Sequence, residues 1–333
     1  MVLRRVIVVL LVLAAGVSAL WLLLHRQNIS YRTLDERYAA DSSHYLTLSN
    51  DLVVHFTDEG SEDAPVIVLV HGFASSLQTW RDWRAGLIRD FRVISVDLPS
   101  HGLTRKGDAE VLTTNGLAAF LGEFITELEL ENVTLVGSSM GGHAGWVYAL
   151  DHPEHLSALV LIGAAGMPPT DAEKDDRPFV YGLVSNVWAK PLLASMNPKP
   201  LIRDGLNGAY FDPAFVTDAL VQQYSDLALA PGHRTGLLTL AARSRVDARE
   251  QAEQLKALDL PVLILHGADD RIIPAAHGER LNDLISNARL IIYPETGHLP
   301  HEERADQTLS DLKQFLASLS SDEPETETTI SEH

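Results

Sequence analysis

Apolar positions along the chain follow three patterns in turn. The 19 residues from Val6 to Leu24 carry no charge and lack the polar stripe that a buried core helix keeps. At 1.5 Å per residue such a helix approaches the ~30 Å hydrocarbon thickness of a bilayer, so the segment reads as a membrane helix or an export signal. From His44 to Thr57 apolar residues alternate with turn formers, which predicts a hairpin or two short strands. Beyond it come short continuous apolar runs, Pro65–Val70, Phe91–Val96, Val133–Val136, Leu159–Ile162, Val262–Leu265 and Leu290–Tyr293, separated by helix-like stretches. Strands covered on both faces have this composition, and their alternation with helices predicts a mostly parallel, doubly wound α/β sheet.

About 90 residues separate the Leu159 run from the Val262 run, several times an ordinary crossover. The interval opens on a loop-like stretch, Met167–Pro178, and then apolar and aromatic residues return at helical spacing from Trp188 through Leu192 and Met196 to Leu240. The expectation is a helical cap, residues 168–250, inserted over the C-terminal edge of the sheet and splitting a core into 33–167 and 251–319. Residues 1–32 would form the anchor or signal with its linker. Residues 320–333, with five acids and no Lys or Arg, read as an acidic tail without fixed structure.

Composition narrows the chemistry. In 333 residues, 26 Lys and Arg stand against 45 Asp and Glu, and a net charge of −19 repels nucleic acid and anionic lipid headgroups from the main domain. The first 32 residues run the other way, with Arg4, Arg5, Arg26 and Arg32 as their only charges. Arg4 and Arg5 ahead of the apolar span favour an N-in orientation, with the bulk of the protein extracytoplasmic. The span exceeds the about 7 to 15 apolar residues of a cleaved signal, which favours an uncleaved anchor; Val17-Ser18-Ala19 keeps open cleavage and export. The absence of cysteine excludes disulfides, Cys-ligated zinc, iron–sulfur clusters and a thiol nucleophile. No Walker loop or GxGxxG fingerprint occurs, so no nucleotide or flavin cofactor is expected. In His152-Pro-Glu-His155 a proline interrupts any helical presentation of ligands, and a solvated turn is expected there rather than a metal.

The informative motif is Gly137-Ser138-Ser139-Met140-Gly141, followed by Gly142, at the end of one apolar run and the start of a small-residue helix. A nucleophile on a sharp strand-to-helix turn needs small residues two before and two after it, because the backbones there come close. Ser139 has glycine at both places, whereas Ser138 has Val136 and Met140. Serine at neutral pH needs a base, and the base needs a carboxylate that holds its tautomer. Asp269 and Asp270 follow the Val262 run, and His298 lies in Thr296-Gly-His-Leu-Pro300 after the next.

With these motifs in the order serine, acid, histidine, the sequence resembles the α/β-hydrolase superfamily, and within it the cap-bearing serine esterase, lipase and carbon–carbon hydrolase branch, over roughly His44 to Leu319. His71-Gly72-Phe73 is similar to that family's oxyanion loop. Asp97-Leu-Pro-Ser-His-Gly102 is similar to its Asp-x-Pro-Gly-His-Gly segment, with Ser100 in place of the usual glycine. The resemblance implies a triad of Ser139, Asp270 and His298, Asp270 matching the family spacing to Gly267 and Pro274. It also implies an oxyanion hole from the backbone N–H groups of Phe73 and Met140. His71 would orient that loop or sit on the surface, and His101 would be structural. A serine at the elbow disfavours haloalkane dehalogenase and epoxide hydrolase activity, where the family uses aspartate.

The implied reaction is hydrolysis of a small-molecule carboxylic ester with an apolar acyl or alcohol part. Carbon–carbon bond hydrolysis and thioester cleavage are alternatives on the same fold, and a catalytically silent membrane-tethered binding module is a reading of another class. Trp188, Met196, Tyr210 and Phe211 are expected either to line the acyl pocket or to pack the cap's own core. Neither metal nor cofactor is expected, and the oligomeric state is left open.

Overall fold

The structure, a computed structural model, describes residues 24–106, 111–169, 190–243 and 249–321, with isolated positions before Leu24. Most of the expected span Val6–Leu24, Trp188 and residues 322–333 of the expected tail lie outside them. Among the described residues no helix is long and apolar enough to cross a membrane.

Helix α1 (Tyr31–Tyr38) precedes strands β1 (Ser43–Thr47), β2 (Val53–Glu59) and β3 (Val66–Val70). Then come α2 (Arg81–Leu87), β4 (Arg92–Val96), α3 (Thr114–Glu127), β5 (Val133–Ser138), α4 (Met140–Asp151) and β6 (Leu156–Ile162). The strands form one eight-stranded sheet in the order β1-β2-β4-β3-β5-β6-β7-β8, with β7 at Val262–Gly267 and β8 at Ala288–Tyr293. β1 and β2 are an antiparallel hairpin, and β2 lies antiparallel against β4. Every other pairing is parallel.

Period-two alternation sends successive residues of the central strands into two separate cores. Val68, Val70, Leu135, Leu161 and Ile264 pack with α3 and α4 on one face. Ile67, Leu69, Val136, Val160 and Leu263 pack on the other against Trp80, Trp83 and Leu87 near α2 and against Leu312 and Phe315 of the C-terminal helix. Each such side chain contributes about 1.5–3 kcal/mol of burial, so the C-terminal strand ends are held rigidly enough to carry a site.

Between β6 and β7 lie α5 (Lys190–Ser195), α6 (Lys199–Ala209), α7 (Asp218–Ala228), α8 (His233–Arg243) and α9 (Arg249–Gln254). α6 and α7 close a small core of Leu206, Ala209, Tyr210 and Val221 over Leu299. α7 starts at Thr217, whose hydroxyl accepts the Leu220 N–H at 3.1 Å and satisfies one orphan donor of the first turn. After β7 the chain adds α10 (Ala276–Leu284), β8, a short α11 (Pro300–Glu303) and α12 (Ala305–Ser321).

Ser100 is buried with φ +65°, in the left-handed region that favours glycine, and its hydroxyl rests against Gly236 of α8. A non-glycine residue there carries about 1–2 kcal/mol of backbone strain. Ser100→Gly is therefore expected to raise the thermal midpoint by a few degrees, checked by calorimetry on the full chain.

Candidate active site

The strand-to-helix corner is built around Ser139. β5 ends at Ser138, α4 begins at Met140, and Ser139 between them has φ +52° and ψ −116°. Such a conformation persists only where neighbours hold it. Its N–H donates to the Ile162 carbonyl at 2.9 Å, and its carbonyl accepts from His143 and Ala165 N–H, both at 3.0 Å. A Cβ on Gly137 would sit 2.6 Å from the Gly141 carbonyl oxygen, and one on Gly141 would sit 2.4 Å from that of His71. Both contacts are far inside van der Waals range, so glycine is required on each side of the corner. Ser138 points into the core with its hydroxyl unpartnered, while Ser139 is half-exposed and its hydroxyl is engaged by no hydrogen bond among the described residues.

Asp270 and His298 meet beside this corner. His298 lies in the loop after β8, and its backbone N–H donates to the Ala209 carbonyl of α6 at 2.6 Å. Its Nδ1–H donates to Asp270 Oδ2 at 2.7 Å, both side chains being buried. That bond fixes Nε2 as the free, basic nitrogen. Asp270 Oδ1 accepts the N–H groups of Ile272 and Ile273, each at 2.8 Å. Burial pushes the Asp270 carboxyl up. Electrostatic interaction with His298 and hydrogen bonds from His266, His298 and the Ile273 N–H outweigh this and hold it well below the usual carboxylate range. Asp269 is exposed and, among the described residues, makes only a backbone bond to the Thr296 carbonyl, so the structure places Asp270 and not its neighbour on the histidine. His298 reaches the corner through Gly163, where a Cβ would lie 3.2 Å from Nδ1.

A family model described as the alpha/beta hydrolase fold matches residues 65–305. The chain belongs to the α/β-hydrolase family. It is 29% identical over 279 residues to the 2-hydroxy-6-oxo-2,4-heptadienoate hydrolase of Pseudomonas putida, covering 82% of this chain and 95% of the relative. It is 31% identical over 260 residues to a 2-hydroxymuconate semialdehyde hydrolase of a Pseudomonas species, covering 75% and 86%. An esterase structure from Exiguobacterium antarcticum superposes with a TM-score of 0.69 at 22% identity, covering 82% of this chain and 98% of that one, a likeness of fold alone.

In this hydrolase the loop after β3 runs directly over Ser139, and a Cβ on Gly72 would come 3.0 Å from the Ser139 Cβ. Met140 is the first residue of α4, so its N–H has no carbonyl one turn back to bond and is available to a ligand. The Phe73 N–H lies on the Gly72 loop, and two buried histidines shape that loop. His71 donates from Nδ1 to the Gly72 carbonyl at 2.7 Å and accepts the Leu98 N–H on Nε2 at 3.0 Å. His101 donates from Nδ1 to the Pro99 carbonyl at 2.9 Å and accepts the Ala74 N–H at 3.0 Å. Burial holds both imidazoles below their usual pKa and therefore neutral, His101 at about 3. His71 is fully buried, which removes the surface alternative. Beneath them Asp97 bonds His55 at 2.7 Å and the N–H groups of Leu77 and Leu103 at 2.8 Å.

The described cap residues sit in different places. Tyr210 is buried, stacks on Phe215 and donates its hydroxyl to Glu302 at 2.6 Å. Phe211 follows it, half-buried, on the same stretch. Met196 lies at the junction with the N-terminal segment, bridged to His25. Trp188 is outside the described residues.

Two contributors escaped sequence reasoning. His266 of β7 approaches Asp270 Oδ2 with Nε2 at 3.3 Å while bonding the Ile273 carbonyl at 2.9 Å, so the acid is flanked by two histidines. Glu303 accepts the Gly297 N–H at 2.7 Å on one oxygen and the Phe211 and Asp212 N–H groups at 2.9 and 3.2 Å on the other. One carboxylate thus clamps the His298 loop to the cap. Glu303→Gln keeps one acceptor oxygen and leaves at least one N–H unpaired, at about 1–3 kcal/mol. The expected outcome is a Tm several degrees lower and a drop in kcat/KM of at least about tenfold, measured by calorimetry and steady-state kinetics.

Among the described residues one group has metal-ligand chemistry. In the turn after α4, His152 Nδ1 and His155 Nε2 lie 3.5 and 3.7 Å from a Glu154 oxygen. Glu154 adds a carboxylate donor to the two histidines, and both it and His152 are exposed to solvent. The turn is at the opposite end of α4 from Ser139, about 18 Å of helix away, and has no part in the site.

Proposed function

We propose that this hydrolase cleaves a bond to a carbonyl carbon through an acyl-enzyme on Ser139. The observation that carries the reading is the positive-φ corner at Ser139 beside a histidine whose tautomer is fixed by a buried, ionised Asp270. The Ser139 hydroxyl attacks the carbonyl carbon as His298 Nε2 takes its proton, and the Phe73 and Met140 N–H groups stabilise the oxyanion. Collapse breaks the bond to the leaving group, which His298 protonates. Water then attacks the acyl-enzyme by the same route and releases the acid.

The leaving group has two readings. The relatives' names favour a carbon–carbon bond beside a ketone, with a carbanion leaving as its enolate. The charge pattern favours an ester: a net charge of −19 opposes an anionic dienoate, and the Phe73 ring beside the site is 44% exposed and suits an apolar group. A fluorophosphonate probe should label the full chain at Ser139, and absence of labelling would remove the whole reading. Turnover of a 2-hydroxy-6-oxo-dienoate set against p-nitrophenyl esters of graded chain length then assigns the leaving group.

We also infer that Val6–Leu24 anchors the chain in a membrane with the hydrolase domain extracytoplasmic, supported by the length and charge-free composition of the segment. The full chain should stay in the membrane pellet after alkaline carbonate extraction. Recovery in the supernatant, or a mature N-terminus at Leu20, would support export instead.

A further inference from the structure

The chain leaving the apolar segment is fastened to the cap. Asn197 N–H donates to the Leu24 carbonyl at 2.7 Å, Arg26 N–H to the Ser195 carbonyl at 3.0 Å and Ile29 N–H to the Leu229 carbonyl at 2.9 Å. The Arg234 guanidinium joins the Met196 carbonyl at 2.8 Å to the Asn28 side chain at 2.7 Å. Between the linker and the cap lies a cavity of about 710 Å³, lined among others by His25, Arg26, Asn28, Asn197, Lys199 and Gln222.

The charge of this cavity runs against that of the protein. None of its described lining residues is acidic, in a chain with 45 acids and 26 bases. Arg26 donates to the His25 carbonyl at 3.1 Å and Lys199 to Gln222 Oε1 at 2.7 Å; neither meets a carboxylate among the described residues. The acid that Gln222 touches, Asp226, is already engaged by Arg37 at 2.9 Å, Tyr38 at 2.8 Å and Gln222 itself at 2.6 Å. On the same elements apolar side chains face solvent: Leu24 is 37%, Leu192 of α5 53% and Leu201 of α6 64% exposed.

We propose that this junction binds the anionic, phosphate-bearing headgroup of a membrane phospholipid. The proposal rests on Val6–Leu24 being a membrane anchor. That segment ends at Leu24, whose carbonyl is itself bonded to the cap, so no slack chain separates the bilayer surface from Arg26 and Lys199. Two cations with the amide donors of Asn28, Asn197 and Gln222 match a phosphate diester by charge-assisted hydrogen bonds. The exposed leucines match the acyl chains that follow the headgroup. Binding there would hold the cap at the membrane surface.

The full chain in dodecyl maltoside micelles tests this, titrated separately with dihexanoyl phosphatidylglycerol, dihexanoyl phosphatidylcholine and inorganic phosphate and followed by native mass spectrometry and thermal midpoint. Phosphatidylglycerol should bind at least tenfold more tightly than either competitor. Arg26→Gln with Lys199→Gln should abolish that preference, Arg26→Lys should keep it, and none should alter hydrolysis of p-nitrophenyl butyrate in detergent. Equal binding of both lipids, or a preference that survives the double substitution, overturns the proposal. Binding of inorganic phosphate as tight as that of phosphatidylglycerol makes the cavity a free-phosphate site and overturns the lipid. Because the titration is done in micelles, its failure is distinct from failure of the anchor reading, which carbonate extraction of the full chain decides.

Discussion

Ser139→Ala is expected to lower kcat by roughly 10⁴- to 10⁶-fold, because nothing else at the corner can carry the acyl group and only the oxyanion donors and substrate binding remain. Stability should stay within about 1 kcal/mol, since the half-exposed hydroxyl has no hydrogen bond to lose among the described residues and alanine bears the same positive φ as serine. Ser138→Ala makes the contrast informative. Its hydroxyl is buried without a partner, so removing it should leave activity intact and leave stability unchanged or raised by up to about 1 kcal/mol. The two variants differ by one position and one atom each, and steady-state kinetics beside a thermal melt separates them. Loss of activity in both, with both folded, would mean that the corner and not the Ser139 hydroxyl is what matters.

The corner could be read from sequence because apolar runs mark the segments that meet there. A Cβ added at Gly137 would come 2.6 Å from the Gly141 carbonyl oxygen on the helix that follows, and one added at Gly141 would come 2.4 Å from that of His71, just past the end of β3. The parallel strands were legible for the same reason, since continuous apolar runs report burial on both faces. What periodicity does not report is which strand lies beside which. That β4 sits between β2 and β3 is a matter of pairing, not of composition. The Glu303 clamp was illegible for a related reason. Its partners at Phe211 and Asp212 are 92 and 91 residues away, and an acid three residues past a proline looks like any first-turn helix acid until the cap is folded over it. His266 stood in plain view, four residues before Asp270, yet only the turn at Ile272–Ile273 brings the two side chains together. The linker was equally silent: Leu24 to Ile29 has no strand pattern, and its backbone bonds to the cap go to residues about 170 to 200 positions on.

Asp270→Asn is expected to cost about 10⁴-fold in kcat while the protein stays folded. The carboxylate accepts from His298 Nδ1–H, and an amide there can instead present its NH₂ group, which turns the imidazole to the tautomer with Nε2 protonated and unable to take the serine proton. The developing imidazolium also loses its counter-charge. Asp269→Asn should stay within about 0.5 kcal/mol in stability and near wild-type in rate, because that side chain is exposed and among the described residues only its backbone is engaged. The same buried carboxylate also gives a pH signature with a definite sign. Its pKa is held below the unfolded value, so its contribution to stability is fully present above the ordinary carboxylate range and is lost as pH falls toward the depressed folded value. Thermal midpoints measured from pH 6 downward should therefore fall less steeply for Asp270→Asn than for the wild type, and Asp269→Asn should track the wild type. A larger kcat loss at Asp269, or identical acid profiles for Asp270→Asn and wild type, would move the acid off Asp270 and leave His298 oriented by some other group.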